Sequence, residues 1–105
     1  MSKDKGFSIT SAERYSLALY ELSNESNVLT QMEEQCSSVL SLINSSEDFK
    51  NLIKDPTTKR DDLLKIITSI SENYKFETLF KNFLNFLIQK RRFFFLERIL
   101  KSFVE

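Results

Sequence analysis

The sequence predicts an all-α protein, a compact six-helix bundle. Its 105 residues include one glycine, Gly6, and one proline, Pro56, whereas soluble proteins average about 7% and 5% of these residues. Sheet folds need many tight turns and therefore more of both residue types. In addition, apolar residues recur at the i, i+3, i+4, i+7 spacing that places them on one face of a helix. This length suits one small domain with a thin core.

The first helix is predicted to begin near Thr10 or Ser11, either of which can cap it. Residues 1–9 are polar and are predicted to form a flexible tail, so the helical domain covers residues 10–105. Along the first helix one apolar stripe is formed by Ala12, Tyr15, Ala18, Leu19 and Leu22. Further apolar side chains lie off this stripe. Because packing on a core needs a single apolar face, we expect this helix to contact something else as well.

The second helix has an ordinary amphipathic pattern. Its buried stripe is predicted to consist of Val28, Met32, Cys36, Val39, Leu40 and Ile43. Ser45 or Ser46 is predicted to open a short third helix, since the acidic side chains that follow suit the positive end of a helix dipole. Asp55-Pro56 ends that helix, because the residue before a proline disfavours helical geometry.

The fourth helix is predicted to start at a capping box formed by Thr58 and Asp61. Its buried stripe is Leu63, Leu64, Ile67 and Ile70. The fifth helix is predicted to start between Asn73 and Thr78, and it is apolar over a wider arc than the roughly 100° that a surface helix needs. Lys90-Arg91-Arg92 interrupts the pattern. A sixth helix then carries on one side Leu96, Ile99, Leu100 and Phe103.

The composition excludes most kinds of catalytic site. The chain has no histidine, so it offers no imidazole base, no Ser-His triad and no histidine metal ligand. The single cysteine, Cys36, lies on an apolar stripe and is interpreted as a small buried hydrophobe rather than a nucleophile. One glycine cannot form a phosphate-binding loop. We therefore predict a non-enzymatic domain with no cofactor and no metal.

Charge and hydropathy also limit the kinds of partner. Fifteen basic and fifteen acidic residues give zero net charge, so no global field attracts nucleic acid or anionic lipid. No apolar run approaches the ~20 residues of a membrane span, and the N-terminus lacks the apolar core of a secretory signal. Lys90-Arg91-Arg92 beside Phe93-Phe94-Phe95 has the basic and aromatic character of single-strand nucleic-acid sites. The neutral charge favours a solvated helix junction instead.

The first helix resembles a family signature. Ala12-x-Arg14-Tyr15-Ser16-x-Ala18-Leu19-Tyr20 is similar to A-x-R-Y-A-x-A-L-F, the opening of the delta subunit of F-type ATP synthases, whose mitochondrial relative is the oligomycin-sensitivity-conferring protein. Ser16 and Tyr20 depart from that signature but keep its size and shape. Further similar segments are Asp55-Pro56, Asn82-Phe83-Leu84-x-x-Leu87 followed by Arg91 or Arg92, and Leu96-x-x-Ile99-x-x-x-Phe103.

The resemblance implies the N-terminal six-helix domain of a longer subunit. In that family this domain binds the N-terminal helix of an alpha subunit at the top of the catalytic head. It thereby holds the head against rotor torque during proton-driven ATP synthesis. The family's C-terminal part, which we expect to be absent from this chain, contacts the b subunit of the peripheral stalk. The implied role is that of a non-catalytic stator component, peripheral on the cytoplasmic face of the bacterial inner membrane.

The resemblance also implies a partner-binding groove between the first and fifth helices. Tyr15 and Phe86 match groove positions of the family. Helical geometry adds the residues that lie on the same faces, namely Ala12, Leu19, Leu79, Phe83 and Lys90. Leu17 and Tyr20 are then expected to face the core, while Ala18 and Leu22 are left unassigned.

Three other interpretations remain open at this point. Both helices could simply be central and buried on all sides. The chain could be an RNA-binding bundle like the transcription antitermination factors, whose first helix has a similar A-x-x-x-x-A-L-x-x-L pattern. Those domains carry a strongly basic N-terminal arm, whereas here Lys3 and Lys5 are offset by Asp4. A helical adaptor with an unrelated partner is the third possibility.

Overall fold

The structure, a computed structural model, describes residues 3–55 and 57–104, with side chains from residue 11 onward within those ranges. The helices are α1 (Lys3–Glu25), α2 (Leu29–Ser45), α3 (Glu47–Lys54), α4 (Arg60–Tyr74), α5 (Thr78–Gln89) and α6 (Leu96–Val104). A 3-10 turn at Phe93–Phe95 leads into α6. No strand occurs within these ranges, and the predicted all-α six-helix bundle is confirmed.

Helix α1 begins at Lys3, so the predicted start near Thr10 or Ser11 is wrong. The first residues lack an apolar stripe, but helix formation does not require one. Gly6 costs only about 1 kcal/mol relative to alanine, which a 23-residue helix tolerates. The flexibility of residues 1–9 stays a prediction, and residues 1 and 2 lie outside the described ranges.

Helix α3 begins as predicted. The Ser46 hydroxyl accepts a hydrogen bond from the Phe49 backbone N–H at 3.2 Å, so Ser46 is the N-cap. Glu47 and Asp48 follow in the first turn, next to the positive end of the helix dipole.

Helix α5 also begins within the predicted interval, at Thr78.

The predicted capping box of α4 is wrong. Lys59 occupies the N-cap position and makes no side-chain capping bond. The Thr58 hydroxyl donates instead to the Leu52 carbonyl at the end of α3, at 3.3 Å. The loop before it is closed by Asp55, whose carboxylate accepts from the Thr57 N–H and hydroxyl at 2.9 and 2.6 Å. Thr58 therefore lies one residue before the N-cap, where its side chain does not form the predicted box.

Three helices end at a non-glycine residue with left-handed backbone geometry. Asn27, Lys75 and Arg91 have φ of 58°, 55° and 59° after α1, α4 and α5. In each case the next residue's N–H reaches back five positions, the pattern of a Schellman motif: Val28 to Ser23, Phe76 to Ser71 and Arg92 to Leu87. Glycine is usual at this position because it lacks the Cβ atom that makes left-handed geometry costly.

Replacing Lys75 by glycine is expected to raise the free energy of unfolding by about 0.5–1 kcal/mol, since it removes the steric cost of the Cβ atom. Urea denaturation followed by circular dichroism measures the change. The matched control is Lys65→Gly, an exposed position inside α4, which is expected to lower stability by about 1 kcal/mol. Equal destabilisation by both substitutions would contradict the left-handed cap.

Helix α6 makes the most extensive helix–helix contacts in the bundle. Both α1 and α2 pack mainly on it, whereas α4 packs on α5, and α3 lies against α2 and the 3-10 turn. Its predicted inward side is confirmed, since Leu96, Ile99 and Leu100 are fully buried. The predicted α2 stripe is confirmed at its most buried positions, which are Met32, Cys36, Val39 and Ile43.

Candidate functional site

The two sides of α1 are reversed relative to the prediction. Ala12 and Leu19, predicted to face a partner, are 1% and 0% exposed and belong to the core. Leu17 and Tyr20, predicted to face the core, are 58% and 46% exposed. The predicted division of this helix is therefore wrong at all four positions.

Two serines explain the reversal. Ser16 and Ser23 lie on the same face as Leu19 and are buried with it. The Ser23 hydroxyl donates to the Leu19 carbonyl at 2.6 Å, so its polar group is satisfied inside the helix. With these small residues included, the main stripe of α1 is the face that packs on the core, as in an ordinary amphipathic helix.

The predicted groove residues on and after α5 also divide into a buried position and accessible positions. Phe83 is buried in the core, so it is not available to a partner in this structure. Leu79 is half-buried, and Lys90, just after the helix, is exposed. Phe86 is 45% exposed, although it lies in the middle of a strongly apolar helix. These three residues leave accessible surface on one side of α5.

An aromatic pair connects this side of α5 to α1. The rings of Tyr15 and Phe86 have centroids 6.2 Å apart and are tilted by 59°. The Lys90 ammonium lies 5.8 Å from the centroid of the Phe86 ring, within cation–π distance. We call Tyr15, Leu79, Phe86 and Lys90 the α1–α5 surface. It contains four of the seven predicted groove residues; the other three, Ala12, Leu19 and Phe83, lie in the core beneath.

Ala18 and Leu22, for which the sequence makes no assignment, extend this surface along α1. Leu22 lies two helical turns after Tyr15, on the same flank, and is exposed. Ala18 lies between them on that flank and is also exposed. If Ser16 and Ser23 are taken as core positions, Ala18 and Leu22 fall on the exposed side of α1. The sequence therefore contained the information needed to assign them.

The α1–α5 surface lies outside two open depressions in the structure. Open depressions of about 420 Å³ along α4 and about 620 Å³ beside the end of α5 contain none of its four residues. Small-molecule sites are concave and enclose most of their ligand. A partly exposed aromatic pair between two helices suits the apolar face of a partner helix better.

The described residues show little that could act as a reactive or metal-binding site. None of them form a group of three or more His, Cys, Asp or Glu side chains able to hold a metal ion. Cys36 is buried, and burial, with a smaller contribution from the Glu33 carboxylate, raises the pKa of its thiol to about 12. The thiol is therefore protonated at neutral pH and is not a nucleophile.

The Cys36 thiol is expected to resist alkylation by iodoacetamide at pH 8 in the native protein and to react once urea unfolds the chain. Since its pKa is raised from 9.0 to about 12 on folding, its contribution to stability is complete below pH 9 and is lost as the pH rises toward 12. Mass spectrometry of the alkylated protein measures the reaction. Rapid labelling without denaturant would contradict the burial of this thiol.

No helix in the described ranges is long and apolar enough to cross a bilayer.

Comparison with known proteins gives concordant matches. The family model for the ATP synthase delta (OSCP) subunit matches residues 12–105. The ATP synthase subunit delta of Pelagibacter ubique is 60% identical to this chain over all 105 residues, which cover 57% of that relative. The subunit delta of Rhodospirillum rubrum is 32% identical over all 105 residues, which cover 56% of it. A chain in the Toxoplasma gondii mitochondrial ATP synthase hexamer matches with a TM-score of 0.83 at 25% identity, covering 88% of this chain and 51% of that one.

The chain therefore spans about half the length of the relatives that it matches. These matches give no support to the RNA-binding alternative.

Proposed function

The chain belongs to the ATP synthase delta (OSCP) subunit family, and we propose that it binds the N-terminal helix of an alpha subunit through the α1–α5 surface. In this role it is a non-catalytic part of the peripheral stalk that holds the catalytic head against rotor torque during ATP synthesis. The b subunit is proposed to bind the part of the subunit that this chain does not span. The proposed location is peripheral, on the cytoplasmic face of the bacterial inner membrane.

The contact between Tyr15 and Phe86 is the observation that carries this proposal. A helix that docks along it would bury its leucine or isoleucine stripe against the two rings, which is the usual way that a groove binds an amphipathic helix. Phe86 keeps nearly half of its surface exposed, so it can gain burial on binding. Lys90 lies beside the same ring and is placed to contact an acidic side chain or the carbonyl end of the partner helix.

Close approach of a partner helix needs a small, exposed residue on this surface. Ala12 is buried in the core and cannot serve as the point of contact. Ala18 is exposed on the flank of α1 that carries Tyr15 and Leu22. We therefore propose that the partner helix passes over Ala18, where the absence of a long side chain lets the two backbones come together.

A titration of the isotope-labelled 105-residue chain with a peptide from the N-terminus of a bacterial alpha subunit tests this function. Amide shift changes are expected on one flank of α1, at Tyr15, Ala18 and Leu22, and on α5 at Phe86 and Lys90. Changes centred on α3 or α4, or no change at about 1 mM peptide, an affinity near −4 kcal/mol, would reject it.

A further inference from the structure

A second accessible feature shares no residue with the α1–α5 surface. An open depression of about 620 Å³ forms where the α3–α4 loop meets the end of α5 and the 3-10 turn. We call it the junction pocket. It includes part of the basic and aromatic segment Lys90–Phe95. Of that segment, the proposed alpha-subunit contact involves Lys90 alone.

The junction pocket has an apolar floor and an aromatic edge. Ile53, Ile88 and Phe93 line it and are almost fully buried. Phe94 also lines it and is 47% exposed, with its ring centroid 4.3 Å from that of Phe95. An exposed phenylalanine supported by a second ring is a preorganised apolar contact for a side chain of a partner.

Three cations line the pocket around this floor, namely Lys59, Arg60 and Arg91. Among the residues that the structure describes, the one ion pair joins Lys101 to Glu97, so none of the three is paired with a carboxylate there. One guanidinium N–H of Arg60 donates to the Gln89 side-chain oxygen at 3.3 Å, which ties Arg60 across α4 and α5. The charges are therefore available to an incoming group.

Two acidic residues also line the pocket, but both have local roles. The Asp55 carboxylate accepts both hydrogen bonds from Thr57, and these bonds lower its pKa. Asp61 lies in the first turn of α4, where the helix dipole favours a negative charge. The lining therefore carries three positive and two negative side chains, a net charge of +1.

We propose that the junction pocket binds an acidic peptide segment of a protein partner. An apolar side chain of that segment would pack on Phe93, Phe94 and Ile88, while carboxylates on either side would meet Lys59, Arg60 and Arg91. An apolar centre with a complementary charged rim is the general plan of protein–protein interfaces. This site is separate from the alpha-subunit contact and does not depend on it.

Fluorescence anisotropy with a designed probe tests the proposal directly. The probe is a fluorescein-labelled peptide, Glu-Asp-Leu-Phe-Glu-Asp, titrated with the 105-residue chain in low salt and again in 0.5 M NaCl. Saturable binding that weakens with salt is expected, because the contacts at the rim are electrostatic. A matched peptide with lysine in place of each acidic residue is expected not to bind.

Variants separate the pocket from the rest of the surface. Lys59→Glu and Phe94→Ser, both at exposed positions, are each expected to weaken probe binding about tenfold or more. Phe86→Asp, on the α1–α5 surface, is expected to leave it unchanged. Circular dichroism of each variant is the control for folding.

The proposal is overturned if no saturable binding occurs at about 1 mM chain. It is equally overturned if Lys59→Glu and Phe94→Ser both bind the probe as the unmodified chain does, or if the lysine peptide binds equally well. Tighter binding of a single-stranded oligouridine would assign the site to nucleic acid instead.

Discussion

Phe86→Asp is expected to weaken binding of an alpha-subunit N-terminal peptide by about 30-fold or more, the loss typical of a central aromatic anchor worth 2 kcal/mol. The substitution removes the ring that contacts both Tyr15 and Lys90 and places a carboxylate where the partner's apolar stripe would lie. Because Phe86 is 45% exposed, the helical circular dichroism is expected to stay the same. Isothermal titration calorimetry measures the affinity.

The chain offers two matched controls for this substitution. Phe94 is a phenylalanine of nearly equal exposure, 47%, outside the α1–α5 surface. Leu17 is an exposed apolar residue on the other flank of α1. Phe94→Asp and Leu17→Asp are both expected to bind the alpha-subunit peptide normally. An unchanged affinity for Phe86→Asp, or an equal loss in all three variants, would reject the α1–α5 surface as the binding site.

Leu19→Ala is expected to lower the free energy of unfolding by about 2–5 kcal/mol, because it leaves a cavity at a fully buried core position. This is a large part of the 5–15 kcal/mol that typically stabilises a whole domain. Leu17→Ala, two residues earlier but 58% exposed, is expected to change stability by no more than about 0.5 kcal/mol.

Urea denaturation of both variants tests the orientation of α1. Equal slopes of the unfolding free energy against urea concentration would show that the difference lies in stability rather than in the extent of unfolding. If Leu17→Ala proves the more destabilising of the two, α1 is rotated relative to this structure, and the exposed flank that carries Ala18 and Leu22 is assigned to the wrong side.

The sequence predicted the number of helices and most inward faces, because helical periodicity reports burial well where only large apolar residues are buried. Helix α2 is such a case, since Met32, Cys36, Val39 and Ile43 all face the core. On α1 the same method failed, because Ser16 and Ser23 are buried and a count of apolar residues treats them as polar. The predicted capping box of α4 was wrong because the helix starts one residue later than the box requires, so that Lys59 and not Thr58 is at the N-cap.

Only four of the seven predicted groove residues lie on the α1–α5 surface, because helical periodicity does not distinguish a core-facing from a partner-facing apolar side chain. Phe83 and Phe86 are three residues apart, so their side chains differ in direction by only about 60° around the helix. That angle separates the buried side of α5 from its exposed side, since Phe83 is in the core and Phe86 is not. Periodicity alone cannot divide so wide an apolar arc into a core half and a partner half. The packing of α1 and α4 against α5 decides it.

The packing of α6 against α1 and α2 has a consequence for how the chain folds. The helices that pack most extensively on α6 are α1 and α2, which lie near the other end of the described sequence. Because these contacts join residues far apart in the sequence, the contact order is higher than in a bundle whose helices pack only on their sequence neighbours. Folding slows as contact order rises. At roughly 5–20 residues per second, the ribosome takes several seconds to proceed from α1 to α6. During that interval the face of α1 that carries Leu19 has no α6 to cover it, so this apolar surface stays exposed on the nascent chain until α6 emerges.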